Sequence, residues 1–149
     1  MSEAAASAPV CVLGFDVGAR RTGVAVGNTI SATARAIAVL QTQASGQHDW
    51  NGFDRLVREW APQLLIVGEP LTLDGEEQAA TRRAREFALT LQQRYKLPVS
   101  LVDERSSSKE ADRRFAEARR NGSARRSQAE LLDAMAAQII VERWLGHSF

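Results

Sequence analysis

The chain has 149 residues, a formal net charge of +1 and one cysteine, with 44% hydrophobic and 25% charged residues. This length suits one domain with a real core, and we expect a disordered tail at residues 1–9 and a single domain at residues 10–149. The lone Cys11 excludes a disulfide framework and a thiolate metal cluster, and no apolar run approaches the ~20 residues that span a bilayer. Because the start also lacks a secretory signal, we expect a cytoplasmic protein without membrane contact, with Cys11 in its core.

The first predicted elements are two strands of a hairpin, over residues 10–17 and 22–28. Their glycine-rich turn lacks the Gly-Lys-Ser/Thr end of a Walker motif, and a strand follows it where a dinucleotide fingerprint needs a helix. Asp16 lies near the end of the apolar first strand, where an ionised carboxylate needs a partner because desolvation costs roughly several kcal/mol. That partner is either an arginine of the turn, Arg20 or Arg21, or a metal ion shared with other carboxylates.

Hydrophobic spacing and capping signals predict the remaining elements. In chain order they are a strand at 32–40, a helix from the Asp49 cap to Trp60, a strand at 64–68, a helix from an Asp74-x-x-Glu77 capping box to Tyr95, a strand at 98–104, a helix from Ser107-x-x-Glu110 through Arg119, and a helix from Ser127-x-x-Glu130 to Trp144 that Gly146 stops. Strands that alternate with helices predict parallel pairing. The expected fold is therefore α/β, with a mixed central sheet in which an antiparallel three-strand meander is followed by parallel strands, flanked by helices.

Three carboxylates can meet at the carboxyl edge of this sheet, where ligands of α/β folds bind. Asp16 lies near that edge, and Asp103 and Glu104 end the last strand, where alternation lets only one of the two face Asp16. Asp133 lies in the first turns of the last helix, at the margin of its apolar face. Such an oxygen site suits Mg²⁺ or Mn²⁺, and two of these ions about 3.5 to 4 Å apart can activate a water and stabilise the leaving oxygen of a phosphodiester. Each acid also has an ordinary alternative role, in an ion pair or at the helix dipole.

Histidine and serine offer no competing mechanism. His48 lies in a polar loop and His147 in the last few residues, so both are expected to be solvated. The serines at 106–108 are explained by helix capping.

Arginines are concentrated before the last helix, and their planar fork suits phosphate oxygens. The basic segment before the last helix contains Arg113, Arg114, Arg119, Arg120, Arg125 and Arg126, while Arg20 and Arg21 lie in the hairpin turn and Arg105 follows Glu104. Such arginines can contact phosphate oxygens. A solvated, arginine-rich surface is the alternative for these residues, and the sequence leaves both open.

Four segments occur in order between about residues 10 and 144: GFDVGARRTGVAVGN, LLIVGEPLTLDG, LVDERSSSKEA and LLDAMAAQIIVERWL. Together they resemble the YqgF family, also called RuvX, of the RNase H-like superfamily. The resemblance implies an RNase H-like fold and an acidic triad at Asp16, Glu104 and Asp133. These are acids that the strand and helix pattern also selects.

The chain departs from the family pattern at three positions. Ala134 replaces a common polar residue after the last aspartate, Ser106 replaces a leucine, and Glu69 replaces an apolar residue before a proline. None of these changes removes a predicted ligand.

The resemblance implies a nuclease that depends on Mg²⁺ or Mn²⁺ bound by the three acids. With a nucleic-acid substrate, the expected phosphate contacts are Arg20, Arg21, Arg105, Arg119, Arg120, Arg125 and Arg126. The hairpin glycines are then expected to let nucleic acid approach the backbone closely. The favoured substrate is the 5′ end of the 16S ribosomal RNA precursor, and the alternative is a four-way DNA junction. A resolvase should be a symmetric dimer in order to cut two strands, whereas the sequence suggests a monomer or weak homodimer. A non-catalytic RNA-binding module for ribosome assembly is the alternative of another class. Actin-like and sugar-kinase ATPases share such a hairpin but need two related domains, for which this chain lacks room.

Overall fold

A mixed β-sheet positions the candidate acids. The computed structural model describes residues 9–72, 74–104, 113, 116, 117 and 128–148. Within them, five strands lie in the order β3-β2-β1-β4-β5. They are β1 (Cys11–Val17), β2 (Arg21–Asn28), β3 (Thr33–Gln41), β4 (Leu64–Glu69) and β5 (Val99–Asp103). The first three are antiparallel, and β4 and β5 run parallel to β1, which confirms the predicted meander and parallel strands.

Helices pack on both faces of this sheet. They are α1 (Trp50–Trp60), α2 (Ala79–Tyr95) and α3 (Gln128–Ser148). The core with α1 and α2 contains Leu13 and Phe15 of β1, whereas the core with α3 contains Val12. Because side chains alternate along a strand, Asp16 shares the α3 face with Val12. None of the helices in the described part of the chain is long and apolar enough to cross a bilayer.

Helix α3 lies against glycines of the hairpin. A Cβ atom on Gly14 or Gly27 would collide with the Val141 side chain, and one on Gly23 would collide with the backbone of Asp133. Because glycine has no side chain, α3 can pack closely against these strands. This corrects the expectation that the glycines open the hairpin to nucleic acid, because α3 occupies that space.

The predicted start and buried face of α1 are confirmed. Asp49 caps the helix, since its carboxylate accepts a hydrogen bond of 3.0 Å from the Gly52 N–H. The apolar side chains at helical spacing all belong to the α1/α2 core: Phe53, Leu56, Val57 and Trp60 from α1, and Ala84, Phe87, Ala88 and Leu91 from α2.

The predicted Asp74-x-x-Glu77 capping box is wrong. Helix α2 begins later, at Ala79, where Gln78 and Thr81 form the capping box, with the Gln78 N–H donating to Thr81 Oγ1 at 2.9 Å. The preceding residues are already used in a turn, in which Gly75 has φ +85° and its N–H donates to the Thr72 carbonyl. A left-handed residue cannot belong to a right-handed helix, so the turn delays the helix.

Gly146 does not stop α3, which runs on through Ser148. Among the described glycines only Gly46 and Gly75 have a positive φ, so Gly146 lacks the left-handed conformation that ends many helices. The predicted Ser107 and Ser127 caps lie outside the described residues. Of the helix predicted from Ser107 to Arg119, the structure describes Arg113, Ala116 and Glu117 as helical and exposed.

A charged clamp joins α1 to α2. Arg94 donates to both carboxylate oxygens of Asp54, at 2.8 and 2.7 Å, and the Tyr95 hydroxyl donates to the same carboxylate at 2.6 Å. These donors lower the pKa of Asp54 to about 2, and the hydrogen bond from Arg94 has a larger effect than the one from Tyr95.

We expect Asp54→Ala to lower the free energy of unfolding at pH 7 by about 1 kcal/mol, because two charge-assisted bonds and one hydroxyl bond are lost from a partly exposed site. Since the pKa is depressed, this contribution is present above the ordinary pKa of 3.8 and is lost as pH falls towards about 2. Urea denaturation at pH 7 and at acidic pH measures both effects. Glu59→Ala, which removes an exposed acid of the same helix, is the control, and an equal loss there would contradict the clamp.

Candidate active site

Asp16 lies at the carboxyl end of β1, on the face covered by α3. Its partner across the β1–β2 ladder is Gly23. Because Gly23 has no side chain, the backbone of Asp133 lies directly against it. The two aspartates, distant in sequence, are thereby brought to the same corner of the sheet.

Glu104 follows β5 directly and reaches towards Asp16 across β4. Its N–H donates to the Glu69 carbonyl at 3.2 Å, which extends the β4–β5 pairing by one residue. A Cβ atom on Gly68 of β4 would lie 3.0 Å from Glu104 Cδ and Oε2. The Glu104 side chain therefore occupies the space that Gly68 leaves open. As the alternation predicted, Asp103 belongs to the opposite face.

The Glu104 side chain, which occupies the space beside Gly68, lies close enough to Asp16 to influence its titration. Burial raises the pKa of Asp16 from 3.8 to about 6, the Glu104 hydrogen bond opposes the rise, and the charge of Asp133 adds to it. A carboxyl with a perturbed pKa beside other acids is typical of functional sites. Glu104 and Asp133 thus both lie close enough to Asp16 to affect its pKa.

Asp133 is held by Arg21, whose Nε donates to Oδ2 at 2.7 Å. Arg21, one of the two turn arginines expected as partners of Asp16, therefore pairs with Asp133. The described residues contain no group of three or more His, Cys, Asp or Glu side chains spaced to hold a metal ion. The structure brings the three acids to one corner without assembling them into one ligand set.

Only two of the predicted nucleic-acid contacts fall within the described residues. Arg21 has the role just given, and Arg20 is exposed, with its carbonyl accepting from the Thr42 N–H at 2.8 Å. The others lie outside the described residues: Arg105, Arg119, Arg120, Arg125 and Arg126. Those assignments stay predictions.

Glu69, the acid that departs from the family pattern, does not join the site. It pairs with Arg85 at 2.5 Å, and Arg85 also binds Glu77 at 2.8 Å. Alternation along β4 places Glu69 on the face opposite Gly68. The substitution therefore adds a link to α2 and leaves the acidic corner unchanged.

His48 is not a solvated loop residue as the sequence suggested. It is half-buried, with its ring centroid 4.9 Å from that of Phe87 and with Trp50 and Phe53 nearby. The pKa of His48 is lowered, mainly by burial and to a smaller extent by the charge of Arg83. The polar composition of the loop did not indicate this packing, because the aromatic residues that contact His48 belong to two helices, α1 and α2. The side chain of His147 lies outside the described part.

Cys11 is half-buried instead of a full core residue, and its thiol donates to the Trp60 carbonyl at 3.4 Å. It lines a cavity of about 320 Å³ together with Arg35 and Trp60, at the opposite end of the sheet from Asp16. Burial raises the pKa of the thiol, which opposes a nucleophilic role, as predicted.

Sequence analysis missed the two glycines that build this corner, Gly23 and Gly68. A signal was present, because Gly23 lies opposite Asp16 in the hairpin and Gly68 lies inside an apolar strand, one residue before its end. Glycine inside a strand often marks the close approach of another group.

The sheet order, with acids at the carboxyl edge and a helix across them, defines an RNase H-like fold. Solved structures share it at low sequence identity. Thermus thermophilus RuvC in complex with a Holliday junction substrate matches with a TM-score of 0.57 at 16% identity, over 93% of this chain and 96% of that one. The fowlpox virus Holliday junction resolvase matches with a TM-score of 0.57 at 12% identity, over 94% of this chain and all of the other.

The model of the RuvX Holliday junction resolvase family matches residues 10–147, and the chain belongs to this family of phosphodiester-cleaving hydrolases. A relative from Xanthomonas oryzae pv. oryzae is 58% identical over 146 residues, or 97% of this chain and 94% of the relative, and is named "Putative pre-16S rRNA nuclease". A relative from Xanthomonas campestris pv. campestris has the same name and coverage at 57% identity. The resemblance drawn from the four sequence segments is confirmed.

Proposed function

We propose that the protein is a divalent-metal-dependent nuclease that matures the 5′ end of the 16S ribosomal RNA precursor. The observation that carries the proposal is the convergence of Asp16, Glu104 and Asp133 at the carboxyl edge of the sheet, where Asp133 lies against Gly23 and Glu104 lies beside Gly68. The ribosomal substrate is supported by relatives of that name, which align with nearly the whole chain.

The donor chemistry of this corner fits Mg²⁺ or Mn²⁺. All three side chains offer carboxylate oxygens, which these hard cations prefer. Asp16 and Glu104 would hold the cation from neighbouring strands, and Asp133 would complete the set when it leaves Arg21. When bound, the metal supplies an activated water and charge stabilisation at the phosphodiester.

The remaining residues hold the substrate and shape the corner. Arg20 is exposed at the hairpin turn beside Arg21, where both can contact phosphate oxygens. Gly23 and Gly68 admit Asp133 and Glu104 to the corner. Arg105, Arg119, Arg120, Arg125 and Arg126 are proposed as further phosphate contacts. We also propose a cytoplasmic monomer or weak homodimer.

Two other functions each have an observation in their favour. The family model describes a Holliday junction resolvase, so a four-way DNA junction is the second candidate substrate. The ion pair between Arg21 and Asp133 leaves the ligand set incomplete, which favours a non-catalytic RNA-binding module.

One cleavage assay separates these functions. The purified protein is incubated with a 5′-extended 16S precursor RNA and with a four-way DNA junction, in Mg²⁺ or Mn²⁺. We expect metal-dependent cutting of the RNA, a loss of at least 100-fold in Asp16→Asn, and near-normal cutting in Asp103→Asn, which changes the adjacent acid of the opposite face.

The other outcomes are equally specific. Cutting of the junction alone would replace the ribosomal function by the resolvase function. Cutting that persists in Asp16→Asn would refute this site. RNA binding without cutting in either metal would favour the assembly module.

A further inference from the structure

We propose that Arg21 competes with the divalent cation for Asp133 and, once released, binds a phosphate of the substrate. Metal and nucleic acid would then strengthen each other's binding. This inference rests on the proposed function and adds a means of regulation to the same site.

The competition follows from the geometry of the ion pair. Arg21 Nε lies 2.7 Å from Asp133 Oδ2, and the exposed fractions of the two side chains are 29% and 27%. A carboxylate oxygen that accepts this charge-assisted bond is engaged by one cation already. A metal ion there must displace the guanidinium or lie beside another positive charge.

The structure restricts the change to side-chain rotation. The backbone of Asp133 lies against Gly23, and β2, which begins at Arg21, is paired with both β1 and β3. Neither backbone is free to move far. The Asp133 carboxylate can turn from Arg21 towards Asp16 and Glu104, and the partly exposed Arg21 side chain can turn outwards.

The released guanidinium lies beside the acids that would act on a phosphodiester. Its planar fork of N–H donors suits phosphate oxygens, and Asp133 would no longer neutralise it. A ligand can shift an equilibrium only through its different affinities for the two states, and both metal and phosphate favour the released state. Thermodynamic reciprocity then requires each to raise the affinity of the other by the same factor.

Mn²⁺ binding, measured from the signal of free Mn²⁺ by electron paramagnetic resonance, tests the competition without cleavage. Arg21→Gln removes the competing guanidinium, while Arg20→Gln removes the same charge from the exposed neighbour. We expect Arg21→Gln to bind Mn²⁺ about five- to tenfold more tightly than the wild type, and Arg20→Gln to stay within about twofold. Equal affinities in the two variants, or weaker binding in Arg21→Gln, would overturn the proposal.

The coupling is tested by repeating the titration with a short phosphorothioate RNA. We expect the RNA to tighten Mn²⁺ binding by about fivefold in the wild type and hardly at all in Arg21→Gln. Equal tightening in both proteins would refute the release of Arg21 to phosphate.

Asp133→Asn and thermal melting separate failure of this inference from failure of the site. If Asp133→Asn abolishes binding while the two arginine variants behave alike, only the inference fails. If Asp133→Asn binds Mn²⁺ as the wild type does, the proposed metal site fails together with the inference. Unchanged melting of Arg21→Gln shows that its altered affinity does not arise from unfolding.

Discussion

Asp16→Asn is expected to stabilise the metal-free protein at neutral pH while it abolishes metal-dependent cleavage. Burial raises the pKa of Asp16 to about 6, so at pH 7 the folded state holds a charge in unfavourable surroundings near Asp133. Asparagine keeps the shape without the charge. We expect a gain of about 1–2 kcal/mol in the free energy of unfolding. A shift of one pKa unit corresponds to roughly 1.4 kcal/mol. The expected gain is smaller than the full shift would give, because the Asp16 side chain is partly exposed and solvent screens its charge.

The pH dependence of this gain has a defined sign. Since the folded pKa exceeds the ordinary value of 3.8, the folded wild type binds more protons than the unfolded chain between about pH 4 and 6. The contribution of Asp16 to stability is therefore fully present below pH 4 and is lost as pH rises through about 6. Urea denaturation in a chelator should show little difference between the two proteins at pH 4 and a gap that opens by pH 7. A constant gap would contradict the raised pKa.

Added metal should reverse the order of stability. A ligand that binds only the folded state stabilises it by RT ln(1 + [L]/Kd), so Mn²⁺ should raise the melting temperature of the wild type. Asp16→Asn lacks one of the proposed ligands and should respond little, whereas Asp103→Asn should respond as the wild type does. An equal response in Asp16→Asn would place the metal elsewhere.

Local patterns were enough to predict the sheet and to select a few candidate acids. Alternation in the last strand placed Asp103 and Glu104 on opposite faces, and helical spacing placed Asp133 at the edge of the apolar face of α3. These placements follow from the geometry of a single element, whereas the choice of Glu104 over Asp103 came from the family resemblance. The assignment of Asp49 as a cap has the same local basis, and it is confirmed.

Features that depend on two distant elements could not be predicted in this way. Arg21 and Asp133 are 112 positions apart, and nothing local indicates that the arginine would bond Asp133 instead of Asp16. The glycines of the hairpin have the same pattern whether a helix or a nucleic acid approaches them. The Asp74 capping box failed because a competing turn at Gly75 uses the same residues.

Gly23→Ala is expected to have the largest effect of any single methyl group added at this site. The new Cβ would overlap the backbone of Asp133, which cannot rotate aside as a side chain can, so the start of α3 must shift. Overpacking of this kind typically costs about 1–3 kcal/mol, and we expect a loss at or above the upper end. Because misplacing a reacting group by about 1 Å can cost roughly 100-fold in rate, cleavage should fall by that factor even where the variant is fully folded.

Gly146→Ala is the matched control, since it adds the same methyl group to α3 where nothing lies within 4 Å. Alanine favours a helix over glycine by about 1 kcal/mol, so this variant should be as stable as the wild type or more so, with unchanged cleavage. Urea denaturation and cleavage rates at a temperature where both variants are folded separate stability from positioning. If Gly23→Ala loses stability but keeps its rate, the contact supports only the packing of α3. If it loses both, the backbone contact between β2 and α3 sets the position of Asp133 in the active site.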